Sequence, residues 1–153
     1  MSLINDRLKQ LNIVLPPAPA PAANYVPYVK SNKLIFVSGQ IPMLNGELVT
    51  GKIGKNIEIE DAKTAARLCG LAIVSQLNEA TDLDLDKIKR IVKLGGFVNC
   101  IDEFTQQPEI INGASDLMVE VFGDKGKHSR FAVGTNSLPR NVVVEIEAVA
   151  EIQ

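Results

Sequence analysis

Residues 126–153 have the sequence GKHSRFAVGTNSLPRNVVVEIEAVAEIQ, and this stretch decides which fold we expect. It contains two β-rich runs, 130–138 and 141–152, which are joined through a proline turn. In the second run Glu145 and Glu147 alternate with apolar residues. Since residues two apart on a strand point to the same side, the pattern predicts one apolar face and one face that carries both glutamates.

Arg130 stands at the start of the first run, where the following residues are mostly apolar. An arginine or a carboxylate is costly to bury without a partner, so two interpretations are open. In one, Arg130 forms an ion pair with a glutamate on a solvated face of the sheet. In the other, its planar donors bind a ligand carboxylate in a bidentate manner, while a nearby glutamate positions or deprotonates a water molecule.

The composition indicates a single domain over residues 1–153. A chain of 153 residues with 46% hydrophobic content can bury one core. The net charge of -2 and a pI near 5.4 argue against a nucleic-acid-binding surface. Cys69 and Cys100 lie in unrelated segments and the sequence has a single histidine, so no structural zinc is expected. Without a secretory signal or a membrane-spanning run, we expect a cytoplasmic protein with free cysteines and no membrane partner.

The first part of the chain, residues 1–24, predicts a helix followed by an extended segment. Apolar residues from Leu3 to Leu11 fall at helical spacing, and Ser2 or Asn5 can cap the helix. The segment LPPAPAPAANYVP then carries prolines at alternating or adjacent positions, which force an extended chain. We expect this segment to lie as a strap over the surface of the core, residues 25–153.

The core sequence predicts an α+β fold. Two short β-rich runs meet at a hairpin near Ser31, and one short strand is expected around 47–49 in a Gly-rich loop. A helix from Ile59, a strand over 84–99, a helix that ends at Gly123 and two β-rich runs follow. This order predicts one mixed sheet with hairpins at both ends and two helices on one face. The other face would expose apolar residues, so we expect a homo-oligomer.

Five segments together resemble one known family: FVSGQIP, KTAARLCGLAI, IKRIVKLGGFVN, IINGASDLMVEVFG and SRFAVGTNSLPRNVVVEIEAVA. In this order they are similar to the Rid/YjgF family of reactive-intermediate (imine/enamine) deaminases, which is also called endoribonuclease L-PSP-like. The resemblance covers Tyr25 to the C-terminus. The helix and strap before it resemble features of one branch of that family.

The resemblance implies a chorismate-mutase-like α+β fold, a homotrimer around a central β-barrel and ligand clefts between subunits. It implies that Arg130 binds the carboxylate of a 2-imino acid and that Glu145 acts on the hydrolytic water. The reaction would give a 2-oxo acid and ammonia without a metal or organic cofactor. Further substrate-binding positions implied by the resemblance are Tyr28, Ser38, Gly39, Gln40 and Asn112.

Two positions depart from the family pattern. Ala132 stands where deaminase-active members usually have a cysteine, and His128 replaces the usual proline, which favours a place for His128 in the cleft. The loss of the thiol leaves a second function open, a non-catalytic binder of small carboxylate metabolites. A third, an endoribonuclease or translation inhibitor, is disfavoured by the acidic balance and by the lack of an aromatic and basic stacking surface.

Overall fold

The computed structural model of the chain describes residues 2–153. Three α-helices, seven β-strands and three short 3₁₀ turns make up the regular structure of these residues. The helices are α1 (Leu3–Gln10), α2 (Ile59–Ala80) and α3 (Gln107–Phe122). The strands are β1 (Tyr28–Ser31), β2 (Leu34–Gln40), β3 (Met43–Leu44), β4 (Glu47–Leu48), β5 (Ile88–Asn99), β6 (Ser129–Thr135) and β7 (Val144–Ile152).

Five strands form one mixed sheet in the order β1-β2-β7-β5-β6, in which β5 and β6 are parallel and all other neighbours are antiparallel. The expected mixed sheet and the N-terminal hairpin are therefore confirmed. The expected C-terminal hairpin is wrong, because β7 lies between β2 and β5 instead of beside β6. A central position gives β7 hydrogen-bonding neighbours on both sides, and its residues Val144, Ile146 and Ala148 are fully covered on the core face.

The loop between β2 and α2 is more regular than the sequence indicated. Instead of one short strand, it contains the antiparallel pair β3 and β4. Asn45 and Gly46 connect the two strands with φ values of 52° and 82°, which suits a two-residue hairpin turn.

Both long helices pack on one face of the sheet, as predicted. α2 buries a broad face that begins at Ala62 and ends at Ala80, and α3 buries residues from Ile110 to Phe122. The two helices approach so closely at Gly113 that a side chain there would overlap the main-chain carbonyl of Lys63. Gly123 ends α3 with φ 60°, as its position in the sequence predicted.

The other face of the sheet is not covered within one chain. Its apolar residues include Val29, Phe36, Phe97 and Val133, which are between 38% and 51% exposed. Phe97 also packs edge-to-face on Phe131, with ring centroids 5.2 Å apart. We call this surface the open face.

The N-terminal segment wraps around the helical layer. Ser2 caps α1, and Asp86 accepts hydrogen bonds from the amides of Leu3 and Ile4 at 2.9 Å each. The strap, residues 15–27, then crosses α2: the Ser75 hydroxyl donates to the Pro16 carbonyl at 2.8 Å. The strap thus lies on the surface, as predicted, and ends where β1 begins. Among residues 2–153 we find no helix that is long and apolar enough to cross a membrane.

Candidate active site

Glu145 lies on the open face of β7, where a bulge in the neighbouring strand β2 brings Gly39 against it. The β2–β7 register shifts between Val37 and Gln40, so this part of β2 does not follow the regular ladder. A Cβ atom on Gly39 would lie 2.9 Å from Glu145 Oε2 and 3.1 Å from its Cδ. The carboxylate therefore occupies the space that any larger residue at position 39 would need.

A cavity of about 240 Å³ opens beside this carboxylate, and we call it the Glu145 cavity. Ser38, Gly39 and Gln40 form its floor, and strap residues 19–22 with Tyr25 form one wall. Arg140 lines the cavity as well, from a 3₁₀ turn before β7 in which it takes a φ of 56°. The strap, which precedes the sheet in sequence, thus encloses a site built on the sheet.

Hydrogen bonds hold the floor of the cavity in place. The Ser38 hydroxyl donates to the carbonyl of Val26 at 2.8 Å, which ties the strap to β2. The buried Gln40 donates through Nε2 to the carbonyl of Ser38 at 2.9 Å. In the isolated chain these polar groups support the shape of the bulge.

Tyr25, and not the expected Tyr28, lines the Glu145 cavity of the single chain. Tyr28 begins β1 and packs against the hydrophobic core, and it is not among the residues that line the Glu145 cavity. Tyr25, for which the sequence indicated no role, lines the cavity instead, and its hydroxyl accepts a hydrogen bond from the amide of Ala22 at 3.4 Å.

Burial raises the pKa of the Glu145 carboxyl above its ordinary value. The side chain is half-buried, and within residues 2–153 no donor forms a hydrogen bond to its carboxylate. A carboxylate that loses water without gaining donors is a stronger base than one in solution. Glu145 is thus suited to take a proton from a water molecule in the cavity.

A second group of polar residues surrounds Arg130 on the other side of the sheet. Arg130 lies on the edge strand β6, and its Nη1 donates to the Ser115 hydroxyl at 3.0 Å. Ser115 Oγ lies 2.9 Å from His128 Nε2, and His128 Nδ1 lies 2.6 Å from the carbonyl oxygen of Gly126. We call Arg130, Ser115 and His128 the Arg130 cluster.

Arg130 has no carboxylate within 4.0 Å in the part of the chain that the structure describes. The interpretation in which Arg130 pairs with Glu145 or Glu147 is therefore wrong for the single chain. Two of the five N–H groups of the guanidinium are directed to Ser115 and, at 3.5 Å, to the carbonyl of Pro108. The remaining three have no hydrogen-bond acceptor within residues 2–153.

Asn112 and Ala132 lie near the same cluster. Asn112 follows Pro108 by four residues and precedes Ser115 by three on α3, so the three share one helix face. Ala132 follows Arg130 by two residues on β6, so both side chains point toward the helices. A methyl group therefore occupies the place beside Arg130 where the family pattern has a thiol.

The Arg130 cluster and the Glu145 cavity do not meet within one chain. β5 separates β6 from β7, so two strand spacings of about 4.8 Å lie between Arg130 and the strand of Glu145. Arg130 pairs through Leu94 with Ala148, three residues along β7 from Glu145. The two side chains also point to opposite faces of the sheet, because Arg130 contacts α3 and Glu145 lies on the open face.

The sequence did not indicate three residues that belong to these sites: Ser115, Tyr25 and Arg140. Ser115 had a detectable signal, since it shares the helical spacing of Asn112. Tyr25 and Arg140 had none, because only the path of the strap and the turn before β7 bring them to the cavity. Within residues 2–153 there is no cluster of three or more His, Cys, Asp or Glu side chains placed to bind a metal ion.

The structure is thus a two-layer α+β domain in which one apolar face of the sheet is uncovered, with an arginine on the edge strand β6 and a glutamate against the bulge of β2. The sequence profile described as "YjgF/chorismate mutase-like, putative endoribonuclease" matches residues 5–152. The chain belongs to this YjgF family.

Three known proteins illustrate the range of similarity. Protein TCP17 of Trypanosoma cruzi is 46% identical over 147 residues, which are 95% of this chain and 91% of that protein. The crystal structure of Atu1372 from Agrobacterium tumefaciens, a protein of unknown function, is 47% identical with a TM-score of 0.91, over 98% of this chain and 92% of that one. The structure of E. coli TdcF with bound serine is 25% identical with a TM-score of 0.60, over 89% and 94% of the two chains.

Proposed function

We propose that this protein hydrolyses 2-imino acids, and the enamines that interconvert with them, to 2-oxo acids and ammonia. The reaction takes place in clefts between the subunits of a homotrimer. One observation carries the proposal: Arg130 keeps three free donors on one face of the sheet, and Glu145 keeps an unbonded carboxylate on the other face. A complete site needs both groups, and a second copy of the chain supplies the one that is missing from each half.

The association of copies is supported by the open face. Val29, Phe36, Phe97 and Val133 give this side of the sheet an apolar surface that a soluble chain rarely leaves exposed. In the proposed homotrimer these faces pack around a three-fold axis as a closed barrel of sheets, and the cleft between two copies brings the Arg130 cluster of one copy to the Glu145 cavity of the next. The expected mass is three times 16.6 kDa, about 50 kDa, by light scattering.

The chemistry requires few protein groups. The guanidinium of Arg130 binds the substrate carboxylate through two parallel N–H···O bonds and fixes the imine carbon in the Glu145 cavity. Glu145 accepts a proton from a water molecule, whose oxygen attacks the carbon of the protonated imine and forms a carbinolamine. Glu145 returns this proton to the nitrogen and then takes the proton of the hydroxyl group as the C–N bond breaks, so that ammonia and the 2-oxo acid are released.

Similarity to TdcF supports the proposed ligand class. The serine bound to TdcF carries a carboxylate next to a carbon that bears nitrogen, as a 2-imino acid does. A guanidinium group can bind such a carboxylate in a bidentate manner, and Arg130 has three N–H groups without an acceptor in the single chain. Burial raises the pKa of Glu145, so its carboxylate is a stronger base than an ordinary one, as a general base requires.

A direct assay generates 2-iminobutanoate or 2-iminopropanoate in situ with an amino-acid oxidase and follows the loss of the imine. We expect the wild type to accelerate hydrolysis, and we expect Arg130→Ala and Glu145→Gln to abolish most of the acceleration. Arg90→Ala, which removes an exposed arginine from β5, is the matched control and is expected to behave as wild type. If wild type and Arg130→Ala both clear the imine at the rate of buffer, the proposed activity is wrong.

Subunit complementation tests whether the site is shared. Arg130→Ala and Glu145→Ala are each expected to be inactive, but a mixed oligomer contains sites with an intact arginine from one copy and an intact glutamate from its neighbour. Random mixing of equal amounts restores about a quarter of the sites. If co-refolded mixtures stay inactive while both variants form oligomers, the shared cleft is refuted.

A non-catalytic binder of small carboxylates is the second candidate, and Ala132 is the observation that favours it. The methyl group beside Arg130 preserves the space and the main-chain groups of the site but has no reactive atom. This candidate predicts that 2-oxobutanoate raises the melting temperature in an Arg130-dependent manner while no imine is consumed. Ala132→Cys would then create measurable turnover if the thiol is the missing component.

A further inference from the structure

A continuous chain of hydrogen bonds connects the main chain of Gly126 to the guanidinium of Arg130. The contacts are 2.6 Å from Gly126 O to His128 Nδ1, 2.9 Å from His128 Nε2 to Ser115 Oγ, and 3.0 Å from Ser115 Oγ to Arg130 Nη1. The second and third distances are within the normal range for hydrogen bonds between nitrogen and oxygen, and the first is slightly shorter.

The direction of each bond in this chain follows from its two ends. A carbonyl oxygen only accepts, so His128 Nδ1 must carry a proton and donate to Gly126. Arg130 only donates, so Ser115 Oγ must accept from Nη1. With a neutral imidazole, the lone pair of Nε2 is then the acceptor for the proton of the Ser115 hydroxyl. Each of the three side chains thus has one defined role, and the imidazole is the tautomer with its hydrogen on Nδ1.

The residues that form this chain of hydrogen bonds are held in place by their surroundings. Gly126 packs so closely on the main chain of Met118 that no side chain fits at position 126. Ser115 lies on α3 beside the buried Ala114. His128 lies between the 3₁₀ turn Gly123–Gly126 and β6, next to the first residue of the strand that carries Arg130.

An arginine on an edge strand has many rotamers, and fixing it during binding costs affinity. The bond from Ser115 directs one edge of the guanidinium to α3 and leaves the other N–H groups free. A guanidinium that is fixed before the ligand arrives binds a carboxylate more tightly than one that must be ordered.

We infer that His128 and Ser115 are positioning residues, which act through Arg130 to hold its guanidinium ready for the carboxylate of a small metabolite. The inference rests on the proposed carboxylate site and adds how that site is preorganised. It assigns a role to the histidine at the position where the family pattern has proline. His128 contacts Ser115 and Gly126, so it supports the binding residue from behind.

The protein is well suited to a spectroscopic test, because His128 is its only histidine. Long-range ¹H–¹⁵N correlation spectra of the oligomer at pH 8 report which ring nitrogen carries the proton, without any need for assignment. We expect the Nδ1–H tautomer in the wild type and in Ser115→Ala, because the Gly126 carbonyl accepts from Nδ1 in both. The ¹⁵N chemical shift of Nε2 is expected to change in Ser115→Ala, because Nε2 loses the hydroxyl donor. A wild-type histidine in the Nε2–H form, or a spectrum that Ser115→Ala leaves unchanged, would overturn the inference.

Binding of 2-oxobutanoate, measured by calorimetry, tests the consequence for Arg130. We expect Ser115→Ala to weaken binding by up to about tenfold, because the guanidinium is then ordered only when the ligand binds. Ser115→Thr, which keeps the hydroxyl, is expected to restore most of the affinity. Ser129→Ala is the matched control, since it removes a hydroxyl that is adjacent to Arg130 in sequence but donates to Val92 O.

These measurements distinguish a failure of the positioning role from a failure of the carboxylate site. If the wild type binds 2-oxobutanoate and Ser115→Ala binds it equally well, the positioning role is wrong and the carboxylate site stands. If the wild type binds neither 2-oxobutanoate nor any other small carboxylate, the proposed function fails together with the positioning role. Circular dichroism of each variant shows whether lost binding reflects lost structure; because alanine favours a helix, we expect Ser115→Ala to fold.

Discussion

The close contact between Gly39 and Glu145 allows a sharp test of the site, the substitution Gly39→Ala. The backbone of Gly39 does not have a positive φ, so an alanine is compatible with its conformation. Its Cβ, however, would lie 2.9 Å from Glu145 Oε2, whereas ordinary contacts begin at 3.4 Å. The flexible end of the glutamate can yield more easily than the sheet, so we expect the carboxylate to withdraw by about 0.5 Å.

The size of the effect follows from this displacement. A misplacement of about 1 Å in a catalytic group can reduce the rate about a hundredfold, so half that distance predicts a loss of about tenfold. A tenfold loss corresponds to about 1.4 kcal/mol of transition-state stabilisation. The melting temperature is expected to change little, because one methyl group displaces only a side-chain end.

The assay is imine hydrolysis by wild type, Gly39→Ala, Glu145→Gln and the double variant. If Gly39→Ala acts through the carboxylate, it has no further effect in the Glu145→Gln background, and the two changes are strongly non-additive. A Gly39→Ala protein with wild-type activity, or a double variant with the product of the two separate losses, would show that the contact does not position Glu145.

Three further predictions concern stability and pH. Gly113→Ala is expected to lower the free energy of unfolding by about 1–3 kcal/mol, because the new methyl group overlaps the main-chain carbonyl of Lys63. Gly70→Ala is expected to cost less, because its methyl group would lie 2.9 Å from the end of the Leu117 side chain and 3.3 Å from the Ala114 Cα. Thermal melts at fixed protein concentration compare the two variants, and equal melting temperatures would contradict the packing argument. Asp86→Asn is expected to loosen α1, by about 1 kcal/mol, since it removes one of two acceptors for the first helical amides. The hydrogen bond from the Ile4 amide is the main cause that lowers the pKa of Asp86, so this stabilisation is present above the ordinary carboxyl pKa of about 3.9 and is lost as the pH falls through the lowered value; amide exchange of α1 across this range measures it. Burial raises the pKa of Glu145, which means that its negative charge opposes folding above the ordinary carboxyl pKa. We therefore expect Glu145→Gln to melt at a higher temperature than wild type at pH 7 and at a similar temperature near pH 4. A lower melting temperature of Glu145→Gln at pH 7 would refute the sign of this effect.

The elements that were predicted correctly from the sequence are those with a strong local signal. α2 and α3 have long apolar faces at helical spacing, and Gly123 marks the end of α3. The alternation in β7 correctly assigned Glu145 and Glu147 to one face. These features depend on neighbours within a few residues, so the sequence contains the information directly.

The partners of the strands could not be predicted in the same way. Alternation indicates which face a residue takes but not which strand lies beside it, and this is why the expected C-terminal hairpin was wrong. The same limit applies to the site. Arg130 and Glu145 are close in sequence, yet β5 lies between their strands and they point to opposite faces.

The family, the helices, the faces of the strands and the importance of Arg130 and Glu145 could therefore be inferred from the sequence alone. Only the tertiary structure decided that the strap and Tyr25 enclose the Glu145 cavity, that Ser115 and His128 support Arg130, and that the two halves of the site lie apart. The physical reason is the range of the interactions. Helical periodicity and strand alternation are local, whereas a cavity or a hydrogen-bonded cluster forms between segments that the packing of the whole chain brings together.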